Sequence, residues 1–158
     1  MGNRNRRGRR LNLEHFVPYR LSVLTNIVST AIAGAYATRF GLSIPEWRVI
    51  AVLGPEPGLS AAQVAERTAM DKVAVSRAVS SLLQSRRIAR AFANSDRRRS
   101  VLKLTRSGES VYWRVVPFAR RYERALLASL SNAERVRLDR LLARLKRRAI
   151  ELGPIHAG

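Results

Sequence analysis

The chain has 158 residues, 46% of them hydrophobic, which is enough for one domain with a proper core. Thirty Lys plus Arg against eleven Asp plus Glu leave a net charge of +19. An excess of that size implies a polyanionic partner, because neutralising phosphates releases counterions. Charge alone suits DNA, RNA or an anionic membrane surface equally, and the dominance of arginine over lysine is not phosphate recognition by itself. The absence of cysteine excludes disulfides, thiolate chemistry and Fe–S clusters. No apolar run approaches twenty residues, so no membrane-spanning helix is expected. The arginine-rich N-terminus is followed by no apolar h-region, which argues against a secretory signal, so a cytoplasmic protein is expected.

In chain order, residues 1–12 form a basic, nearly apolar-free tail expected to be disordered, either a DNA-contacting arm or a solubilising segment. Leu13 to Val17 can form a helical turn, and Pro18 suits the first turn of a longer helix. There Leu21, Leu24, Ile27, Val28, Ala31, Ile32, Ala35 and Tyr36 follow the spacing of one apolar stripe, with Gly41 as its terminator. Ser43-Ile44-Pro45-Glu46 is a capping box that opens an apolar and therefore central helix, Trp47 to Leu53. Gly54 to Gly58 is a loop. Ser60-Ala61-Ala62-Gln63 is a second capping box, starting a helix with Val64 and Ala65 inward. Thr68-Ala69-Met70 is a tight connection, after which Asp71 caps a helix from Lys72 to Ser85. Two short helices joined in this way have helix-turn-helix geometry.

The second of these helices carries the argument. Val75, Val79, Leu82 and Leu83 form its inward face, leaving Lys72, Val73, Ala74, Ser76, Arg77, Ser80 and Ser81 outward. A solvated helix face normally carries Glu–Lys pairs, and this one has no acid after Asp71. Small residues with a few donors let a helix lie close to base edges in the major groove, although an ordinary surface helix lacking acids reads the same way. Ile88 to Phe92 and Ser100 to Leu104 then alternate as an antiparallel pair around a charged tip, Asn94 to Arg99. Arginine at an edge can be mere protection against strand pairing, but three in a row repel one another without an anion nearby. Thr105 is placed to cap a long helix reaching about Ala128, bent at Pro117. Its inward series is Val111 or Tyr112, Val115, Phe118 or Ala119, Tyr122, Leu126 and Leu127. Ser131 to Glu134 is a third capping box, and Leu138, Leu141, Leu142, Leu145, Ala149 and Leu152 stripe the last helix. The expected fold is mainly α with a small β-wing, a winged helix-turn-helix domain flanked by long dimerisation helices. The divisions are a tail 1–12, an N-terminal dimerisation helix 13–42, a DNA-binding region 43–105 and C-terminal dimerisation helices 106–158.

Asp96 to Thr105 followed by Gly108 resembles the wing signature of the multiple-antibiotic-resistance-regulator (MarR) family. Val64-Ala65-Glu66 and Val75-Ser76-Arg77 resemble its helix-turn-helix, and Leu42 to Leu53, with Trp47 and Arg48, the helix before it. The likeness covers roughly Val17 to Leu152 and implies a homodimer on double-stranded DNA, with recognition helices in successive major grooves and wings in the flanking minor grooves. It implies that Arg98 enters the minor groove, that Asp96 orients it, and that Ser76, Arg77 and Ser80 contact bases or phosphates. Ser60, Lys72, Val73, Ala74, Arg97 and Arg99 complete the expected DNA-facing set. Arg87 stands where the family usually has glycine, and Ala93 and Ser95 where an earlier acid and arginine of the wing often occur.

The resemblance further implies repression by occlusion of a pseudo-palindromic operator, relieved by a small aromatic acid, a phenol or a related coenzyme A thioester. Tyr36, Arg39, Trp47 and Trp113 are the candidate effector residues, against the plainer reading of aromatics at helical spacing as core. No enzyme, metal site or cofactor is expected: His15 and His156, the only histidines, lie near opposite ends, and no glycine-rich phosphate loop follows a strand. The rival is a non-specific nucleoid-associated or RNA-binding protein, which explains +19 without an effector.

Overall fold

The computed structural model describes residues 10–93 and 96–154, with backbone alone for 92, 93 and 96–99. The N-terminal tail as far as residue 9 and the strand-connecting pair 94–95 lie outside the described residues. The chain falls into two units, Met1–Ala119 and Arg120–Gly158.

In the first unit, α1 (Val17–Ala33) and a single-turn α2 (Ala37–Phe40) precede α3 (Ile44–Leu53), α4 (Ala61–Thr68), α5 (Lys72–Gln84), the strands β1 (Ile88–Ala93) and β2 (Asp96–Leu104), and most of α6 (Arg106–Leu126). The first apolar stripe predicts one helix to Tyr36, but it breaks at Gly34. Tyr36 takes a non-helical φ of −131° at the start of α2, which lets its ring sit almost wholly buried. Gly41 does terminate the segment, at φ 61°. No residue of α1 is buried, and Leu21, Leu24 and Ile27 of its stripe are exposed.

The core lies beneath α3, α4, α5 and the ribbon. Val49, Ile50 and Leu53 of α3, Val64 of α4, Val75, Ala78, Val79 and Leu82 of α5, Ile88, Leu102, Val111 and Val115 make one cluster. Ala78 and Leu42 join it although the apolar pattern passes over both. All three capping boxes are present, at Ser43/Glu46, Ser60/Gln63 and Ser131/Glu134, and Asp71 caps α5 by accepting from Ala74 N–H at 2.8 Å. The turn between α4 and α5 passes through Ala69 in the left-handed region, φ 52°.

The strands pair antiparallel from Ile88↔Leu104 to Phe92↔Ser100, with an irregularity between Phe92 and Ala93. β2 starts at Asp96, so Arg97, Arg98 and Arg99, which charge alone marks as the tip, sit on strand backbone between the pairs Ala93↔Asp96 and Phe92↔Ser100. Leu59 adds a third edge, its carbonyl accepting from Leu102 N–H at 2.8 Å while Gly58 N–H donates to Leu102 carbonyl at 2.9 Å.

Thr105 closes the base of the ribbon. Its Oγ1 donates to the carbonyl of Arg86 at 2.7 Å and accepts from Gly108 N–H at 3.2 Å. Gly108 packs so tightly on the Arg87 carbonyl that a Cβ there would collide with it. The resemblance places the family's usual glycine at Arg87, but the left-handed corner falls at Arg86, φ 54°. α6 continues through Pro117, which supplies no N–H to the carbonyl of Trp113.

In the second unit the end of α6 passes into a 3₁₀ turn, Leu127–Ser129, and α7 (Asn132–Leu152) follows. Arg135 Nε donates to the carbonyls of Leu127 and Leu130 at 3.0 and 3.1 Å, which fixes the start of α7 against that turn. No residue of α7 is buried. No helix among the described residues is long and apolar enough to cross a membrane.

Candidate nucleic-acid interface

Helix α5 is held by one face and open on the other. With Val75, Ala78, Val79 and Leu82 locked in the core, its 3.6-residue period leaves Lys72, Val73, Ser76, Arg77, Ser80 and Ser81 exposed, with Ala74 half-buried. Val73 is 59% exposed, an apolar residue kept at the helix start without packing. Among the described residues Asp71 and Glu46 border this face, and the Asp71 carboxylate is spent on the cap. The face is thus small, donor-rich and positive.

Two grooves flank it. One, between α4, α5 and β1, is lined by Ala61, Ala62, Ala65, Lys72, Ser76, Ser80 and Arg90. Its α4 wall is nearly all alanine, so a ligand backbone can approach closely. Arg90 is the residue that sequence reasoning missed. Strand alternation puts it on the core side with Ile88, yet it lies past the edge of the core and is exposed. The other groove, between the start of α3 and α5, is lined by Ser43, Pro45, Glu46, Arg77 and Ser81. Ser60 is half-buried, and its hydroxyl accepts from Gln63 N–H at 3.2 Å as the cap of α4.

Ser81, placed outward by periodicity, is already engaged: its hydroxyl donates to Glu46 Oε1. Glu46 Oε2 accepts from the Ser43 N–H and hydroxyl, each at 2.7 Å. Partial burial pushes the Glu46 carboxyl up, but the hydrogen bonds from Ser81 and Ser43 and the nearby Arg87 cation outweigh it and hold its pKa below the ordinary value. Arg87 in turn donates to the carbonyl of Phe40. One carboxylate and one guanidinium therefore tie α2, α3 and the junction of α5 with β1 together. Nothing in the sequence announces this, because the partners are 35 and 47 residues apart.

The candidate effector residues separate. Tyr36 stacks on Trp47 at 5.4 Å between ring centroids, Trp47 on Tyr112 at 6.4 Å, and Tyr112 meets Trp113 edge-on at 5.0 Å. Tyr36 is buried, which raises its phenol pKa against the lowering effect of Arg48. Trp113 is 66% exposed at the other end of the run. Arg39 lies over the Phe40 ring at 5.6 Å. The cation beside Tyr36 is Arg48, whose guanidinium donates to Ser29 Oγ of α1 at 3.2 Å. A Cβ at Gly54 would collide with the Tyr112 ring, so the aromatic run is closed from that side.

Comparison with known proteins agrees with this geometry. Residues 40–99, from α2 through the start of β2, match the family model described as MarR family. The HTH-type transcriptional regulator BilQ of Clostridium symbiosum is 29% identical over 105 residues, 66% of this chain and 73% of that protein. A MarR/EmrR family transcriptional regulator from Acinetobacter sp. ADP1 has a similar structure at TM-score 0.80 and 29% identity, covering 87% of this chain and 97% of the other. The PcaV transcriptional regulator from Streptomyces coelicolor, solved with its natural ligand, shares the fold at TM-score 0.73 and 24% identity, covering 87% and 96%. With a positive, acid-free helix face beside a two-stranded wing, the chain is similar in sequence and in fold to MarR family transcriptional regulators.

Proposed function

We propose that the chain is a homodimeric, sequence-specific DNA-binding repressor released by a small-molecule effector. The observation that carries this reading is the exposed face of α5, which presents Lys72, Val73, Ser76, Arg77 and Ser80 with no free carboxylate. Arg77 reads a base or phosphate, Ser76 and Ser80 make phosphate or base contacts, and Lys72, Val73, Ala74 and Ser60 border the groove. Arg98, oriented by Asp96, enters the minor groove from the wing, with Arg97 and Arg99 on the adjoining backbone. Dimerisation is supported by the exposed apolar stripes of α1 and α7, which require covering. Residues 13–42 and 106–158 serve that purpose, and 43–105 read DNA.

The effector is an aromatic acid, a phenol or a related thioester, held at the aromatic run of Trp47 and Trp113 with Tyr36 as its floor and Arg39 or Arg48 as the counter-cation. Its action needs only a few kcal/mol of preference for a dimer spacing that misses successive major grooves, ~34–36 Å apart. A mobility-shift titration with the promoter beside the protein's own gene, repeated over a panel of aromatic acids and their coenzyme A esters, tests the whole. A shift released by one acid and absent on scrambled duplex is expected. Equal affinity for promoter and scrambled duplex, with no response to any acid, gives the protein to the non-specific nucleoid class.

A further inference from the structure

Helix α7 carries a second charged feature that the function above does not use. Arg137, Arg140, Arg144 and Arg147 recur at spacings of three, four and three, so they stand on one face, over about 15 Å of helix at 1.5 Å per residue. All four are exposed, and among the described residues none has an ion-pair partner, whereas the neighbouring Arg148 is paired with Glu151 at 3.2 Å. This stripe is set roughly a third of a turn away from the leucine stripe of the same helix. The leucines can therefore be covered while the arginines stay open. Like charges one turn apart repel, so the arrangement is costly unless an anion lies along it.

A second copy of the chain, itself strongly cationic, is a poor source of that anion. The chain has eleven carboxylates against thirty cations. Glu46, Glu56, Asp71, Glu134 and Glu151 are already engaged by Ser43 and Ser81, Arg67, the α5 cap, the α7 cap and Arg148. A lipid surface is poorly matched as well, because α7 has no aromatic residue to anchor it at an interface. A repeating polyanion remains, and duplex DNA is already on the molecule in the reading above, on which this step rests. We propose that the arginine stripe of α7 is a second, sequence-independent contact for the phosphate backbone of duplex DNA, distinct from α5 and the wing. It would hold flanking or neighbouring duplex at high effective concentration once the operator is bound.

The test compares the full chain with the variant Arg137→Gln/Arg140→Gln/Arg144→Gln/Arg147→Gln. A control, Arg20→Gln/Arg106→Gln/Arg114→Gln/Arg120→Gln, loses the same charge elsewhere. Affinity for a long duplex containing the promoter is measured from low to high salt, alongside circular dichroism and sedimentation to verify fold and assembly. The stripe variant is expected to give a slope of log K against log salt shallower by about 2–4, at roughly 0.9 per lost phosphate contact, with the ratio of promoter to scrambled affinity unchanged. The control is expected to change the slope far less. Equal slopes for the two variants overturn the proposal. So does binding of wild-type chain to anionic phosphatidylserine vesicles, or preference for duplex RNA, that the stripe variant alone loses while its DNA slope stays wild-type. If wild-type chain shows no promoter preference, the repressor reading fails; if it shows the preference and the slope is unmoved, only the α7 contact fails.

Discussion

Helix α5 buries Val75, Ala78, Val79 and Leu82 against its own chain, whereas α7, although longer and more heavily striped with leucine, buries nothing. Both are amphipathic and both are well capped, so local preference does not separate them. The difference is where the partner of the apolar face comes from. α5 is oriented by the fold of a single chain, and its outward face is thereby fixed in direction. α7 has leucines at 39–47% exposure, at Leu141, Leu142 and Leu145, which the proposed dimer would cover.

The sharpest way to break this contrast is to truncate one leucine in each helix. Leu82→Ala, at a site with no exposure, is expected to cost about 2–5 kcal/mol whatever the protein concentration, read as a drop in urea midpoint. Leu145→Ala is expected to cost less and, on the proposed dimer, its cost should vary with concentration. A concentration-independent loss of the same size at both sites would remove the distinction.

Next in size is the outward face of α5. Arg77→Ala is expected to weaken promoter binding by about 1–3 kcal/mol if it meets a base, with a smaller loss on scrambled duplex. Titration of both duplexes with one protein preparation decides this, since equal losses would make Arg77 a phosphate contact only.

Glu46 offers a smaller, pH-dependent effect. Its folded pKa is depressed, so the stability it contributes is present above the unfolded value and is lost as pH falls through the folded one. Glu46→Gln is expected to lower stability by about 1 kcal/mol at neutral pH and to flatten the acid limb of a urea-midpoint profile. A variant profile parallel to wild type down to the most acidic points would assign that limb to other carboxylates.

The smallest effect concerns Val73, exposed at the start of α5. If it packs on a thymine methyl, replacing that thymine by uracil in the promoter should cost about 0.8 kcal/mol, the value of one buried carbon, and Val73→Ala should abolish the difference between the two duplexes. Identical affinities of wild type for both duplexes would leave Val73 without a reading role.

What could be read in the sequence was whatever is decided within a few residues. The capping boxes at Ser43, Ser60 and Ser131 and the cap at Asp71 are local, and each appears where the spacing puts it. The same holds for the inward set of α5, apart from Ala78, too small to mark a period by itself. The break at Gly34 was not legible, because it depends on burying the Tyr36 ring under Trp47 across the fold. Arg87 reads as a departure from a family pattern, yet its guanidinium spans from the α5–β1 junction to Phe40, and the corner that favours glycine is Arg86. Arg48 was named only in the resemblance, and its place beside Tyr36 and Ser29 escaped for the same reason. A cation acquires its role from a neighbour that the linear order does not reveal.

The aromatic run has one practical result. Its two indoles report from unlike surroundings: Trp47 is sandwiched between phenol rings, while Trp113 faces water at the far end. The molecule therefore carries two native optical probes, one half-buried and one open to a dissolved quencher, and the difference in collisional quenching can tell which end of the run a bound compound touches without any label.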